Sequence, residues 1–547
     1  MSQRDTPATA HSHQAAGDAP AAPAAAWSPL GQPLFRALWI AAILSNIGTW
    51  MQDVGATWLM TSLTVSPILI ALVPAATTLP IFLFALPAGA LADVVDRRRL
   101  LLVTQGFMLA ASAGLGALTL LGTVSAPSLL VFTFVIGTGT ALNAPAWQAI
   151  FPELVGRRDL PAALALNGIA INLARALGPA LGGLVVAAAG PGATFLLNAV
   201  SFLGVLVVLY RWRRPPRQSL LPVESLVGAL LAGLRYARHS PDLHAVLFRS
   251  TAFIVSGSAL FALLPTIVRF ELLQGPTGYG LALGCFGAGA VTGALALPAL
   301  RLRLGPDGVV RASSAVFASG LVALGLVRSF PLLCGVMLVA GGAWITLLTT
   351  FHAAAQAAIA PWVRGRGLAV YLLVFFGGMA LGSALWGTVA SHAGLRAALG
   401  AAGAGTLLGI AATWRFRLKS GDGPDLAPSR HWPAPVVSGE PDGDRGPVLI
   451  TVEYRIDPGE ADEFARAMRD VRRIRLRDGA FRWDLLSDPA DPGRYVESFL
   501  VESWVEHMRQ HERITLADRA IEERARRHHK GPGPPSVSHF IARELPR

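Results

Sequence analysis

Apolar runs of about twenty residues recur some twelve times between residues 38 and 414, each ended by charge, proline or glycine. An α-helix rises ~1.5 Å per residue, so a run of that length crosses a hydrocarbon layer ~30 Å thick. Lipid offers no hydrogen bonds to the backbone, and a helix satisfies its own. The predicted spans are 38–61, 68–91, 100–122, 128–150, 162–188, 193–210, 243–270, 279–300, 309–327, 332–355, 367–391 and 396–414.

Composition and charge agree with that reading. Hydrophobic residues make up 53% of the 547 and charged ones 15%, too little charge to solvate a soluble protein of this size. The formal net charge of +12 would suggest nucleic acid in a soluble chain. Here the cations sit between apolar runs, so no nucleic-acid partner is expected and the lipid bilayer is. Arginines gather in alternate connections: Arg97, Arg98 and Arg99, then Arg157 and Arg158, Arg211 to Arg217, Arg301 to Arg311, Arg364 and Arg366, and Arg415 to Lys419. The connections between them hold few cations beyond Arg328 and Arg396. Basic residues accumulate in short cytoplasmic loops, which predicts an even number of spans with both termini cytoplasmic. The Ala- and Pro-rich residues 1–33 are expected to be a disordered cytoplasmic tail. Cys285 and Cys334 lie inside apolar stretches, so neither a disulfide framework nor a metal site is expected.

The domain plan follows from these breaks. Two six-helix bundles are expected over 34–212 and 243–419, joined by a cytoplasmic linker over 213–242. In that linker Val223, Leu226, Val227, Leu230, Leu231 and Leu234 repeat at helical spacing. They fit either a helix at the membrane surface or one that packs on the bundle. The halves echo each other: the octapeptides from Gln148 and Ala176 correspond to those from Gln356 and Ala380, an offset of about 204 to 209 residues. Repeated halves leave a path between them that suits alternating access.

Local motifs narrow the class. The loop Gly89-Ala-Leu-Ala-Asp93-Val-Val-Asp96-Arg97-Arg98-Arg99 resembles the loop signature of the major facilitator superfamily. The resemblance implies that Gly89, Asp93, Asp96, Arg97 and Arg98 form a latch that closes the inward side and breaks during transport. Val94 and Asp96 stand where a basic residue and glycine are usual. Arg175-Ala-Leu-Gly178-Pro179-Ala-Leu-Gly182-Gly183 is similar to the Gly-Pro motif of exporters in that superfamily. Its small residues allow close helix approach, and Pro179 removes a backbone donor and bends the helix. Thr133 occupies the place where many proton-coupled drug exporters carry an arginine. The segments from Ala88, Asn143 and Ser45 resemble the enterobactin-exporter-like branch, the transmembrane secretion effectors, over roughly residues 34 to 414.

That resemblance implies a secondary active exporter of a small amphipathic compound, siderophore or drug-like, in the bacterial inner membrane. A proton gradient is the implied driving force. No G-x-x-x-x-G-K-[ST] loop for a nucleotide is present, and neither a cofactor nor a catalytic residue is expected. Ionisable groups in the bilayer are costly, so Asp53 and Arg175, at similar depth, are candidates for an ion pair that either orders the first bundle or takes part in coupling. The polar and aromatic residues Asn46, Gln52, Asn143, Trp147, Trp344 and Gln356 are candidates for the substrate path, on helices that line the cavity in the superfamily. As intramembrane amides, Asn143 and Gln356 equally suit bonds between helices.

After a Pro-, Gly- and Asp-rich linker over 420–446, charged and alternating sequence begins at 447. Strands over 448–456, 481–487, 494–503 and 537–543, with helices over 459–477 and 504–527, predict a ferredoxin-like α+β domain. The stretch from Glu502 resembles the antibiotic-biosynthesis-monooxygenase-like domain, which implies a homodimer through it. His507 and His511 lie one helical turn apart, as half a metal site or, more simply, on a solvated face. A membrane-tethered oxygenase and a non-transporting membrane sensor are the alternative readings.

Overall fold

The computed structural model describes residues 26–156, 158–212, 226–418, 425–429, 431–433, 435 and 445–543. The expectations for residues 1–25, 213–225 and most of the 420–446 linker lie outside the described residues.

Proline opens most of the membrane helices, where its missing N–H costs nothing and its fixed φ suits the first turn. The first half comprises α1 (Pro33–Leu63), α2 (Pro67–Val94), α3 (Arg97–Leu120), α4 (Ala126–Leu154), α5 (Leu160–Ala189) and α6 (Pro191–Arg211). A short α7 (Leu226–His239) follows. The second half comprises α8 (Pro241–Thr266), α9 (Pro276–Leu326), α10 (Phe330–Ala357), α11 (Arg364–Ala393) and α12 (Leu395–Ala412). Among the described residues 11 helices are long and apolar enough to cross a membrane. The 51-residue α9 is bent at Gly305, whose φ of 64° is left-handed and open to glycine at little cost. Pro306 follows, so the rod divides there into two crossings, as the separate predicted spans 279–300 and 309–327 require. Twelve crossings result, and the all-α polytopic fold stands.

Side chains such as Leu44, Val103, Val200 and Leu295 face outward, where lipid solvates them. The halves repeat in detail. Gly190 and Gly394, 204 residues apart, both end their helices at positive φ (77° and 86°), capping α5 and α11 alike. Of α7, the half nearer α8 buries Ala232, Tyr236 and Ala237 while Leu234 stays exposed. It packs against α11 and the soluble domain.

The C-terminal segment contains β1 (Val448–Arg455), α13 (Ala461–Arg477), β2 (Arg482–Asp488), β3 (Asp491–Val501), α14 (Trp504–Arg513), α15 (Leu516–Arg526) and β4 (Ser536–Ile541). Its strands pair antiparallel in the order β2-β3-β1-β4, the arrangement the βαββαβ pattern predicts. Val448, Ile450, Phe464, Met468 and Phe499 form its core. The single helix predicted over 504–527 is broken. Ile514 is extended, and Thr515 starts a new helix through reciprocal bonds with Asp518. The break frees backbone groups for the preceding linker: Ser429 N–H donates to Ile514 O (2.9 Å) and Leu516 N–H to Ala427 O (3.0 Å).

Candidate functional site

The two halves meet along α2–α11 and α5–α9, and glycine sets how closely. A Cβ on Gly178 would lie 2.4 Å from Trp50 Cβ on α1, and one on Gly182 would lie 2.9 Å from Met51 Cα. A Cβ on Gly183 would stand 2.7 Å from Pro276 O and 2.9 Å from Gly280 Cα, across the seam on α9. The repeat reproduces this arrangement. Gly382 abuts Val255 and Ser258 of α8, and a Cβ on Gly387 would lie 2.5 Å from Ala71 Cβ on α2. The Gly-Pro motif therefore lets α5 touch its own bundle and the opposite one through neighbouring positions.

The seam is closed at the arginine-poor end. There Ile68 N–H donates to Ser391 Oγ (3.2 Å), and Arg269 of the second half donates to Thr61 (3.2 Å) and Ser62 (3.0 Å) of the first. The Arg269 guanidinium also lies over the Trp58 ring, 5.0 Å from its centre, and Trp58 stacks on Tyr279. At the arginine-rich end several ion pairs and hydrogen bonds lie within one half. Arg97 pairs with Glu153 (2.9 Å), and Arg98 donates to Leu209 O and Tyr210 O. In the second half Arg249 pairs with Asp307 and donates to Phe416 O, and Arg301 donates to Thr349 O.

The signature loop takes part in this picture only in outline. Asp96 caps α3, accepting from Arg99 N–H (2.9 Å). A Cβ on Gly89 would meet nothing within 4 Å. Gly89 lies at the arginine-rich end.

The candidate path residues do not share one site. Asn46, Asn143 and Trp147 line one cavity of about 230 Å³ inside the first half. Asn143 Oδ1 accepts from Thr104 (3.1 Å) and Gln105 (3.3 Å), while Gln105 Oε1 is buried with no partner of its own. Trp147 Nε1–H donates to Asn167 Oδ1 (3.3 Å). Gln52 lies outside this cavity in a buried network, accepting from Ser112 and Asn198 (both 2.8 Å), so its amide ties α1 to α3 and α6. Trp344 sits among Phe253, Phe261, Phe286 and Phe317 in the aromatic core of the second half, and Gln356 is exposed near the end of α10. Asp53 and Arg175 do not pair with one another. Asp53 is half-buried on α1, whereas Arg175 lies over the Trp50 ring at 5.9 Å from its centre.

Sequence reasoning missed Gln105 and Asn167, because it looked only on the first, fourth, seventh and tenth spans. Their signal was present as amides at mid-span of α3 and near the start of α5. His507 and His511 are also placed differently from either expectation: with His539 they line a cavity in the soluble domain, His507 being only 1% exposed. Among the described residues no cluster is arranged to hold a metal ion.

A family model described as "Transmembrane secretion effector" matches residues 24–547. The chain is 25% identical to the staphyloferrin A transporter of Staphylococcus aureus, covering 52% of this chain and 72% of that protein. It is 24% identical to the multidrug efflux pump Tap of Mycolicibacterium fortuitum, over 70% of this chain and 95% of the pump. It is 26% identical to the enterobactin exporter EntS of Salmonella typhi, over 65% and 85%. Among solved structures, a bacterial homologue of the human lysosomal transporter Spinster, inward-facing and unoccupied, superposes with a TM-score of 0.56 at 13% identity, over 70% of this chain and 96% of the other. A D-xylose–proton symporter gives 0.57 at 14% identity, over 70% and 97%.

Proposed function

Because this chain belongs to the transmembrane secretion effector family, we propose that it exports a small amphipathic compound, siderophore or drug-like, by alternating access between its two halves. One observation carries the reading: the seam between the halves is closed at the arginine-poor end by repeat-related glycine contacts and by hydrogen bonds from one half to the other. Bistable packing of this kind moves a site from one side of a membrane to the other without a nucleotide. The asymmetric arginines support a bacterial inner-membrane orientation with both termini and the soluble domain in the cytoplasm. In that orientation a closed arginine-poor end is what an inward-facing state requires.

The polar cavity around Asn46, Asn143 and Trp147 is our candidate for part of the substrate path, with the orphaned Gln105 carbonyl offering a hydrogen-bond acceptor. Asp53 is our candidate for proton coupling, being an acid held inside a membrane helix. Asp93, Asp96, Arg97 and Arg98 are assigned to the latch that forms when the arginine-rich end closes, and Gly89 to the close approach made then. The sheet face that no helix covers, bearing Leu486, Val496 and Phe540, supports a homodimer through the soluble domain.

Purified protein in liposomes tests the reading with ethidium, tetracycline and enterobactin as probes. Flux of at least one, driven by an imposed proton gradient and abolished by a protonophore, is the expected result. Gradient-driven flux insensitive to Asp53→Asn removes the coupling role of Asp53. Binding without movement of any probe favours a sensor and overturns the export reading. Labelling of Arg99→Cys and Leu273→Cys from the same face of the membrane overturns the topology.

A further inference from the structure

The soluble domain encloses a cavity of about 440 Å³ that transport does not require. Its wall is the helix-facing side of the sheet, with Ile450, Val452, Tyr454 and Phe499, and its other wall is α14. Three imidazoles meet there: the ring of His507 lies 4.9 Å from both His511 and His539, centre to centre. Trp432, from the segment that runs back from the membrane unit, closes the mouth. Its ring packs edge-on to His511 at 5.0 Å, and its Nε1–H is held by Glu522 at 2.9 Å.

The chemistry of the lining selects a ligand class. The wall holds two arginines: Glu497 and Glu522 both pair with the buried Arg475, and the more exposed Arg526 lies 4.0 Å from Glu522, so both charges are already matched. Burial pushes His507 down to about 3 and His511 down to about 4, so both rings are neutral near pH 7. A neutral imidazole offers one donor and one acceptor. An ion brought into such a wall would lose its water and find no free counter-charge. Aromatic faces from Trp432, Phe499 and Tyr454 surround the space, whose volume lies in the range of small-ligand sites.

The same helix that lines the cavity grips the membrane unit with its opposite face. Glu506 and Arg513, two turns apart, pair at 2.5 Å. Arg513 lays its guanidinium over Trp362, 4.7 Å from the ring centre, and Glu506 meets Arg235 of α7 at 3.6 Å. Trp362 belongs to the 3-10 turn Pro361–Val363 that joins α10 to α11. Beside it Tyr236 of α7 bonds Ala358 O (2.9 Å) and Ala360 N–H (3.0 Å), and Arg477 of α13 covers the Tyr236 ring. The domain rests on α7 and on the α10–α11 turn, the connections that lead into α8 and α11 at the arginine-rich end.

We propose that the soluble domain is a receptor for a small uncharged aromatic molecule bearing hydroxyl or carbonyl groups, and that α14 couples its occupancy to the opening of the arginine-rich end. The binding half stands on the cavity alone; the coupling half rests on the alternating-access reading. Filling the cavity presses on His507 and His511, and the displacement of α14 is felt at Trp362 and Arg235 on its far side.

The test uses the full-length protein in lipid nanodiscs with 1-naphthol as probe. Isothermal titration is expected to give one saturable site per chain. Val537→Trp, which blocks the mouth from the half-exposed edge strand, and Trp432→Ala, which removes the cover, are each expected to weaken it at least tenfold. Undiminished binding in both folded variants, or no saturable binding in the parent, overturns the receptor. For coupling, spin labels at Gly156→Cys and Gln356→Cys, with Cys285 and Cys334 replaced by Ser, report the separation of the halves. Naphthol is expected to shift that distance distribution in the parent but not in Trp362→Ala combined with Arg235→Gln, which keeps the naphthol site. A parent distribution unmoved by naphthol, or a shift that survives the double variant, overturns the coupling. A distribution that, with the protein moved into sealed liposomes, also stays fixed under an imposed proton gradient with ethidium overturns alternating access instead, and leaves the receptor standing on its titration.

Discussion

Gly183→Ala is expected to loosen the closed end of the seam. The added methyl would stand 2.7 Å from Pro276 O and 2.9 Å from Gly280 Cα, both backbone atoms that no rotamer change can move. Ordinary carbon contacts lie at ~3.5–4.0 Å, so α5 and α9 must separate by roughly 0.5–1 Å. Overpacking of this kind costs about 1–3 kcal/mol. The cost falls only on the state in which the two helices touch, so the ratio of closed to open at this end drops about fivefold to 150-fold. Double electron–electron resonance between labels at Val65→Cys and Leu273→Cys, exposed residues of opposite halves at that end, reads the ratio directly. A longer-distance population is expected in Gly183→Ala and in its repeat mate Gly387→Ala. Gly106→Ala, whose new methyl would meet nothing within 4 Å, is the control expected to leave the distribution unchanged. Folded Gly183→Ala protein with the parent's distribution would refute the idea that glycine contacts set the closed seam.

Asp307→Asn removes the carboxylate that pairs with the buried Arg249 and accepts from Leu418 N–H, and is expected to cost about 1–3 kcal/mol, seen as a lower melting temperature in detergent. Asn143→Ala takes the acceptor away from Thr104 and Gln105 in the polar cavity; if the cavity belongs to the path, the KM for ethidium rises about tenfold, or ~1.4 kcal/mol, while purified protein stays folded. His507 is held neutral in the folded state, so the unfolded chain binds a proton that the folded one refuses once the pH falls below ~6.5. Its contribution is fully retained above ~6.5 and is lost progressively on acidification toward its lowered value, by about 2 kcal/mol at pH 5. Thermal unfolding of the soluble domain in the intact protein, followed between pH 7 and 5, is expected to show that loss, and His507→Leu to flatten it.

Much of the fold is legible in the sequence because lipid imposes a length and an apolar composition on every crossing. The spans and the paired halves follow from that constraint, and the ferredoxin-like domain from the alternation of its strands and the order of its elements. The Gly-Pro motif was legible as a close-packing element, since small residues have few other uses there. The sequence left open which helix each glycine would touch, for contact depends on the angle at which two rods cross. Asp53 and Arg175 show the limit. Equal depth along two helices suggested a pair, but depth says nothing of azimuth, and Arg175 turns to Trp50. His507 and His511 show it again: a spacing of four residues places both on one face of α14, while the return of β4 with His539 and of the linker with Trp432 makes that face the wall of a cavity. The break at Ile514 likewise needed the strap of residues 425–429 to bond its freed backbone. What the chain alone determined is where hydrophobic matter must lie in lipid, because that free energy is additive along the sequence. Which end of the seam is shut, and which residues share a cavity, is decided by tertiary packing, because those contacts join residues hundreds of positions apart and exist only once the rods have crossed.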